Sequence, residues 1–132
     1  MNEKSFLTRN LIAHRGLHDI NNGIVENSLE AFDLAVQKKY IIELDVQILK
    51  DNNIVVFHDN NLHRLTGVNK NISEVTYEEI KDLKLRNTNS YIPKLEEVLN
   101  FINGRVPILI EIKNNGKVRK IRGRISKYIR YI

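Results

Sequence analysis

Short apolar runs that end in polar residues alternate along this chain with segments of helical period, and this alternation limits the possible folds. The apolar runs predict strands at 11–13, 40–49, 54–59 and 106–113, and the helical spacings predict helices at 28–38, 76–83, 93–102 and 117–132. Apart from the short helix at 76–83, the order is strand, helix, strand, strand, helix, strand, helix. This order is typical of an α/β protein with a largely parallel sheet. In such folds functional residues collect at the carboxyl ends of the strands, so a site is expected there.

The sequence also excludes several kinds of site and targeting feature. It contains no cysteine, so disulfide bonds, thiolate metal sites and cysteine nucleophiles are excluded. No run reaches the roughly 18 apolar residues that a membrane-spanning helix needs. The first residues have no apolar core like that of a secretory signal. We therefore expect a cytoplasmic protein without stable membrane insertion.

The basic residues are concentrated near the C-terminus. The net charge is +5, yet all 16 acidic residues lie at or before Glu111, and Lys and Arg are the only charged side chains that follow it. Val118, Ile121 and Ile125 begin one apolar helical face, so 117–132 is predicted to be a basic amphipathic helix. Such a helix could bind anionic lipid or nucleic acid, or it could pack its apolar face against the domain.

Two carboxylates in the strand at 40–49 predict a metal site. Glu43 and Asp45 are two residues apart, so their side chains project from the same face of the strand and repel each other. A Ca²⁺ or Mg²⁺ ion between them would remove this repulsion, because both ions prefer carboxylate oxygen. Glu111 could supply a third carboxylate from the strand at 106–113. The alternative is that Glu43 and Asp45 lie on a solvated strand face.

Histidines and basic side chains end several of the predicted strands. His14 and His58 each follow an apolar run, and a neutral imidazole can accept or donate a proton near physiological pH, which suits acid–base catalysis. Arg15 could bind two phosphate oxygens with its fork of N–H donors, and Lys113 could add a compact positive charge. The alternatives are hydrogen-bonded structural histidines and ordinary salt bridges to neighbouring carboxylates.

These residues belong to a series of short blocks that resembles the glycerophosphodiester phosphodiesterase family in order and spacing. The blocks are Ile12-Ala13-His14-Arg15-Gly16, Glu26-Asn27-Ser28, Ile42-Glu43-Leu44-Asp45-Val46, Val55-Val56-Phe57-His58-Asp59, Leu62 with Arg64 and Thr66, Ile92-Pro93 with Leu95-Glu96-Glu97, and Ile110-Glu111-Ile112-Lys113. The likeness covers about residues 11–113.

The resemblance implies a (β/α)₈ TIM barrel that hydrolyses small-molecule glycerophosphodiesters to sn-glycerol 3-phosphate and an alcohol. It implies that His14 is the base and His58 the acid, and that Arg15 and Lys113 steady the phosphate. It further implies that Glu43, Asp45 and Glu111 bind a divalent metal, either Ca²⁺ or Mg²⁺.

The length of the chain limits this interpretation. A (β/α)₈ barrel takes about 250 residues, whereas the sequence has 132. We therefore expect 1–132 to form a partial domain, an incomplete barrel of about four strands whose outer helix is 117–132, with no nucleic-acid partner. Open strand edges favour self-association and impair activity.

Two alternatives to this partial enzyme remain. The chain could be an inactive truncated remnant whose basic helix binds anionic lipid or nucleic acid. It could also be a related phospholipase-like phosphodiesterase that acts on lysophospholipids or other headgroup diesters.

Overall fold

The computed structural model describes residues 11–113 and 118–125, and within them the predicted elements occur at the expected places. The strands are β1 (Ile12–His14), β2 (Ile41–Ile48), β3 (Ile54–Val56) and β4 (Ile108–Ile112). The helices are α1 (Leu29–Gln37), α2 (His63–Thr66), α3 (Tyr77–Ile80), α4 (Leu95–Ile102) and α5 (Val118–Ile125), with single 3₁₀ turns at Ile20–Asn22, Ile72–Glu74 and Leu85–Asn87. Positions 117 and 126–132 of the predicted last helix lie outside the described residues.

β2 is the central strand of the sheet and pairs with the other three strands. β1 pairs with it in parallel from Ile12↔Ile41 to His14↔Glu43, and β4 does so from Ile42↔Ile108 to Val46↔Ile112. The expected parallel sheet is thus confirmed for β1, β2 and β4, and the sheet is not closed.

β3 differs from this expectation because it runs antiparallel to β2. Only residues 49–53 connect the two strands, and so short a link permits a hairpin but not the crossover that parallel pairing needs. Asn52 has a φ of +71°, and Leu49 N–H donates to Asn53 O at 2.8 Å, which closes the turn. β3 is therefore not a barrel-type parallel strand.

Two hydrophobic clusters stabilise the described part of the chain. In the first, Phe32 of α1, Leu44 of β2 and Val98 of α4 are fully buried between the sheet and the helices. Ile121 of α5 is buried in the same cluster, so the helix packs on the core at this residue. The second cluster includes Phe57 and Ile80 and holds the segment that follows β3 beside the sheet. Burial of this apolar surface is the main favourable contribution to folding.

Both outer strands leave apolar side chains exposed. Leu11 and Ile12 at β1 are 65% and 51% exposed, and Leu109 of β4 is 36% exposed. An open sheet that presents apolar side chains is a place where further strands or another chain can pack. The described helices include none that is long and apolar enough to span a membrane.

We expect Gly16→Ala to lower the free energy of unfolding by roughly 1–3 kcal/mol more than Gly23→Ala does, because of a steric clash. Both glycines have a left-handed φ, +77° at Gly16 and +75° at Gly23, so both substitutions strain the backbone. A Cβ at Gly16 would lie 2.8 Å from Ala31 Cβ, whereas one at Gly23 would meet no atom within 4 Å. Urea denaturation of both variants measures the difference, and equal losses would contradict the predicted clash.

Candidate active site

The residues at the ends of the other three strands lie along β2. His14 ends β1 opposite Glu43, and Glu111 of β4 lies opposite Asp45. β3 arrives from the opposite direction, and Phe57 N–H donates to Asp45 O on the same edge of β2 where Arg15 N–H donates to Glu43 O. His58 therefore follows β3 where the antiparallel strand returns towards the end of β1. The sequence predicts that residues at the ends of parallel strands lie together here. In the structure, His58 reaches this place through the antiparallel hairpin of β2 and β3 instead.

Asp45 is at the centre of the site and is almost completely buried, with 1% of its surface exposed. Asn27 Nδ2 donates to Asp45 Oδ2 at 3.0 Å. Two cations flank the carboxylate, with Arg15 Nε 3.7 Å from Oδ2 and Lys113 Nζ 3.6 Å from Oδ1. The site thus holds one buried anion between the two residues predicted to bind phosphate.

Three buried polar atoms around this carboxylate have no hydrogen-bond partner within the described part of the chain. They are Asp45 Oδ1, Asn27 Oδ1 and Arg15 Nε. Buried polar groups are nearly always hydrogen-bonded, and an unpaired group costs roughly 1–3 kcal/mol. Acceptors and a donor left free side by side indicate a place that a polar ligand can satisfy.

The other two predicted metal ligands are less buried and each faces a basic group. Glu43 Oε1 lies 3.5 Å from His14 Nε2, and Glu111 Oε1 lies 3.5 Å from Lys113 Nζ. In 11–113 and 118–125, no group of three His, Asp or Glu side chains is close enough to hold a metal ion together. The three carboxylates therefore share the region around β2 and β4 without converging on one point.

Arg15 and Asn27 have unusual backbone conformations, which direct their side chains towards Asp45. Arg15 and Asn27 have φ values of +59° and +55°, a region that costs a non-glycine residue on the order of 1 kcal/mol or more. Asn27 N–H donates to Arg15 O at 2.8 Å, which ties the two residues together. The spacing of Asn27 and Glu30 suggests a capping box, but Ser28 caps α1 instead, accepting from Ala31 N–H. Asn27 is thereby free to reach Asp45.

His58 lies between its neighbour Asp59 and the buried Gln47. His58 Nδ1 is 2.8 Å from Asp59 Oδ1. Gln47 Nε2 is within hydrogen-bond distance of the carbonyl oxygens of Phe57, His58 and Asp59, at 3.0, 3.1 and 2.7 Å. A hydrogen bond from Arg64 is the main cause that lowers the pKa of Asp59 to about 2. Asp59 is therefore ionised at neutral pH.

Glu26 and Arg64 link the two halves of the site, and their sequence context predicts no role for either residue. Arg64 binds Glu26 through Nη1 and Nη2 at 2.8 and 2.9 Å, and it also contacts Asp59. Arg15 Nη1 donates to the same Glu26 carboxylate at 2.9 Å. Burial acts to raise the pKa of Glu26, but Arg64 and Arg15 outweigh it and the pKa is lowered. The hydrogen bonds that Arg64 donates to Glu26 and Asp59 raise the pKa of Arg64.

Sequence and structure comparisons relate the chain to phosphodiesterases. The model of the glycerophosphoryl diester phosphodiesterase family matches residues 14–128. A human lysophospholipase D is 34% identical over an alignment that covers 97% of this chain and 44% of the human protein.

Solved structures of the same kind superpose on the chain. A glycerophosphodiester phosphodiesterase from Thermotoga maritima has a TM-score of 0.75 and 33% identity, covering 90% of this chain and 50% of that one. An Oleispira antarctica phosphodiesterase, solved with the product sn-glycerol 3-phosphate, has a TM-score of 0.77 and 26% identity, covering 90% of this chain and 52% of that one. The chain thus spans about half the length of the proteins it matches.

Proposed function

The chain belongs to the glycerophosphoryl diester phosphodiesterase family, and we propose that it carries the catalytic face of an enzyme that hydrolyses glycerophosphodiesters to sn-glycerol 3-phosphate and an alcohol. One observation carries the proposal beyond family membership. The buried Asp45 lies between Arg15 and Lys113, and polar atoms around it have no hydrogen-bond partner in the described segments. The two basic side chains suit a phosphate group, whereas the unpaired acceptors Asp45 Oδ1 and Asn27 Oδ1 suit a cation bound beside it, and neither feature suits a packed core.

The roles of the remaining residues follow from the chemistry of hydrolysis. His14 removes a proton from the attacking oxygen, and His58 protonates the departing alkoxide, so neither step leaves a strong base or a free alkoxide behind. Arg15 and Lys113 bind the phosphoryl oxygens, where negative charge builds up in the transition state. All four side chains are at least partly exposed, so a substrate can reach them.

The donor set also fits a divalent cation, Ca²⁺ or Mg²⁺. Glu43, Asp45 and Glu111 offer the hard carboxylate oxygens that both ions prefer, and Asp45 Oδ1 is buried and unpaired among the described residues. These three residues would hold the ion only if their side chains turned towards one point, because they do not converge in the described residues. When bound, it supplies positive charge close to the phosphoryl oxygens.

Asp45→Asn and Glu43→Gln are each expected to weaken the binding of Mg²⁺ or Ca²⁺ by about tenfold or more, since each removes a charged oxygen ligand. Isothermal titration calorimetry on the whole chain measures the affinity, and circular dichroism checks that each variant is folded. Glu78→Gln is the matched control, because Glu78 is an exposed carboxylate on α3 that pairs with Lys81. Unchanged affinity in both Asp45→Asn and Glu43→Gln would contradict the metal assignment.

The proposed activity is tested by joining the whole chain to the part of the Thermotoga maritima relative that it does not cover. Release of sn-glycerol 3-phosphate from glycerophosphocholine is measured with Mg²⁺ or Ca²⁺ present. Release that depends on His14 supports the proposal. A folded fusion that releases no product from any glycerophosphodiester would overturn it.

A second candidate substrate class is the lysophospholipids, because the human relative is named a lysophospholipase D. The bond to be cleaved in a lysophospholipid is also a phosphodiester, so the same residues can bind and hydrolyse it. Assaying the fusion with lysophosphatidylcholine beside glycerophosphocholine separates the two classes. The preferred substrate is the one with the higher kcat/KM.

The other expectations stay predictions. Self-association is favoured by the exposed Leu11, Ile12 and Leu109, and size-exclusion chromatography can measure it.

The alternative of an inactive remnant requires the basic helix to be free to bind lipid or nucleic acid. In α5, however, Ile121 packs in the core, and Lys120 Nζ donates to Asn52 Oδ1 at 2.6 Å. The cytoplasmic location is likewise a prediction.

A further inference from the structure

We propose that Asp59 is a positioning residue, which keeps a proton on Nδ1 of His58 so that the proton given to the leaving alcohol departs from Nε2. This inference rests on the proposed role of His58 as the acid. Neither Asp59 nor its partner Arg64 belongs to the residues predicted to bind metal or phosphate. Four features of the structure support the inference.

The first feature is the contact between the two side chains. His58 Nδ1 lies 2.8 Å from Asp59 Oδ1, a normal hydrogen-bond distance. Because the pKa of Asp59 is lowered to about 2, its carboxylate is ionised and can only accept a hydrogen bond. Nδ1 must therefore carry the hydrogen, and in neutral His58 Nε2 is the unprotonated nitrogen.

The second feature is that Asp59 is itself held in place. Arg64 donates to Asp59 through Nε at 2.8 Å and Nη2 at 3.1 Å, so one edge of the guanidinium binds the carboxylate in bidentate fashion. The other edge binds Glu26 in the same way. A planar fork held on both edges cannot turn without breaking several charge-assisted hydrogen bonds. Asp59 thus has a defined orientation towards His58.

The third feature is the fixed main chain beneath the two residues. Gln47 has 1% of its surface exposed, and its Nε2 lies within 3.1 Å of the carbonyl oxygens of residues 57, 58 and 59. Gln47 belongs to β2, two residues after Asp45. The segment that carries His58 is therefore attached directly to the strand that carries the central carboxylate.

The fourth feature is the connection to the phosphate-binding side. Glu26 accepts from Arg64 and also from Arg15 Nη1 at 2.9 Å. Positive and negative groups therefore alternate from Arg15 through Glu26 and Arg64 to Asp59. This chain of bonds sets the distance between the proposed phosphate ligand and the proposed acid, although the two follow different strands.

The proton balance of the proposed step is simple. Protonated His58 carries hydrogens on both ring nitrogens, and Asp59 accepts the one on Nδ1. As the bond from phosphorus to the alcohol oxygen breaks, the Nε2–H bond breaks and an O–H bond forms on the departing alcohol. Neutral His58 remains with its hydrogen on Nδ1, the form that Asp59 stabilises.

The test is to measure the tautomer of His58 by ¹⁵N NMR of the ring nitrogens in the whole chain, at a pH where the histidines are neutral. We expect the hydrogen on Nδ1 in the native sequence. In Asp59→Ala the ratio of Nδ1–H to Nε2–H should fall about tenfold or more, because a charge-assisted hydrogen bond is lost. Should Asp59→Ala fail to fold, Asp59→Asn keeps the size of the side chain and removes the charge, and the ratio should again fall.

His63 provides an internal control in the same spectra, since its ring has no hydrogen-bond partner in the described ranges and its tautomer should not change. A hydrogen on Nε2 of His58 in the native chain, or an unchanged ratio in both variants, would overturn the inference. A kcat of the fusion with the Thermotoga maritima segment that is unaffected by Asp59→Ala would also overturn it. We expect a loss of roughly 10- to 100-fold in kcat with little change in KM.

The two proposals fail in different ways. If the tautomer of His58 changes as expected but the fusion hydrolyses no diester, the proposed function fails and the positioning of His58 by Asp59 stands. If the fusion is active and the tautomer does not respond to substitution of Asp59, the positioning role fails and the proposed function stands.

Discussion

Joined to the uncovered part of the Thermotoga maritima relative, the chain is expected to hydrolyse glycerophosphocholine at least about a hundredfold faster than the 132-residue chain does alone. The reason is the open sheet. β1 and β4 leave Ile12 and Leu109 exposed, and the proposed ligand Glu111 on β4 is half exposed. Catalytic groups need positions accurate to a fraction of an ångström, and a displacement of 1 Å can cost on the order of a hundredfold in rate.

We also expect the part of the relative that the chain does not cover to add a wall opposite the site. Such a wall would position the glycerol group and limit access of water, so transition-state binding and substrate affinity should both suffer without it. The measurement compares kcat/KM for the chain, the fusion and the added Thermotoga segment alone, with Mg²⁺ or Ca²⁺. Comparable turnover by the isolated chain would contradict the prediction, and would mean that half a barrel, alone or dimerised, is a sufficient enzyme.

In the fusion, His58→Ala is expected to lower kcat by about 10²- to 10⁴-fold, the usual contribution of general acid–base catalysis. Its affinity for Mg²⁺ or Ca²⁺ should not change. The ring of His58 contacts Asp59, whereas the proposed metal ligands contact His14, Arg15 and Lys113. The substitution therefore separates proton transfer from metal binding.

His63→Ala is the matched control for this variant. His63 is an exposed histidine at the start of α2, and its replacement should change kcat by no more than about twofold. The role of His58 would be refuted by a His58→Ala enzyme that is folded and retains full turnover. A parallel loss of activity and of cation affinity would instead assign His58 to the metal site.

Much of the fold could be predicted from the sequence because the relevant signals are local. The alternation in Ile41–Ile48 separates Glu43, Asp45 and Gln47 from the apolar face of β2, and the structure has a strand there. The strand and helix order was likewise expected from periodicity, and family membership agrees with the blocks that carry the resemblance. The roles of His14 and His58, of the three carboxylates and of the two basic residues stay predictions.

Other parts of the site could not be predicted, because they depend on contacts between distant segments. Glu26 and Arg64 are 38 positions apart, and nothing in their local spacing indicates a pair. Asn27 has the spacing of a helix cap, yet it bonds to Asp45, since Ser28 occupies the cap position. Glu26 and Arg64 lie in blocks of the family resemblance, and this resemblance is the one signal in the sequence that points to them.

The sequence by itself determined where the four strands and the helices α1, α3, α4 and α5 form, and which face of β2 carries the carboxylates. Those properties follow from the repeat of two residues in a strand and 3.6 in a helix, which any short segment expresses. Only the tertiary structure decided that the end of β3 lies on the same edge of β2 as the end of β1, and that Arg64 joins Glu26 to Asp59. Those relations depend on where packing places remote segments, because a side chain can bond only to groups that the whole fold brings within about 3 Å of it.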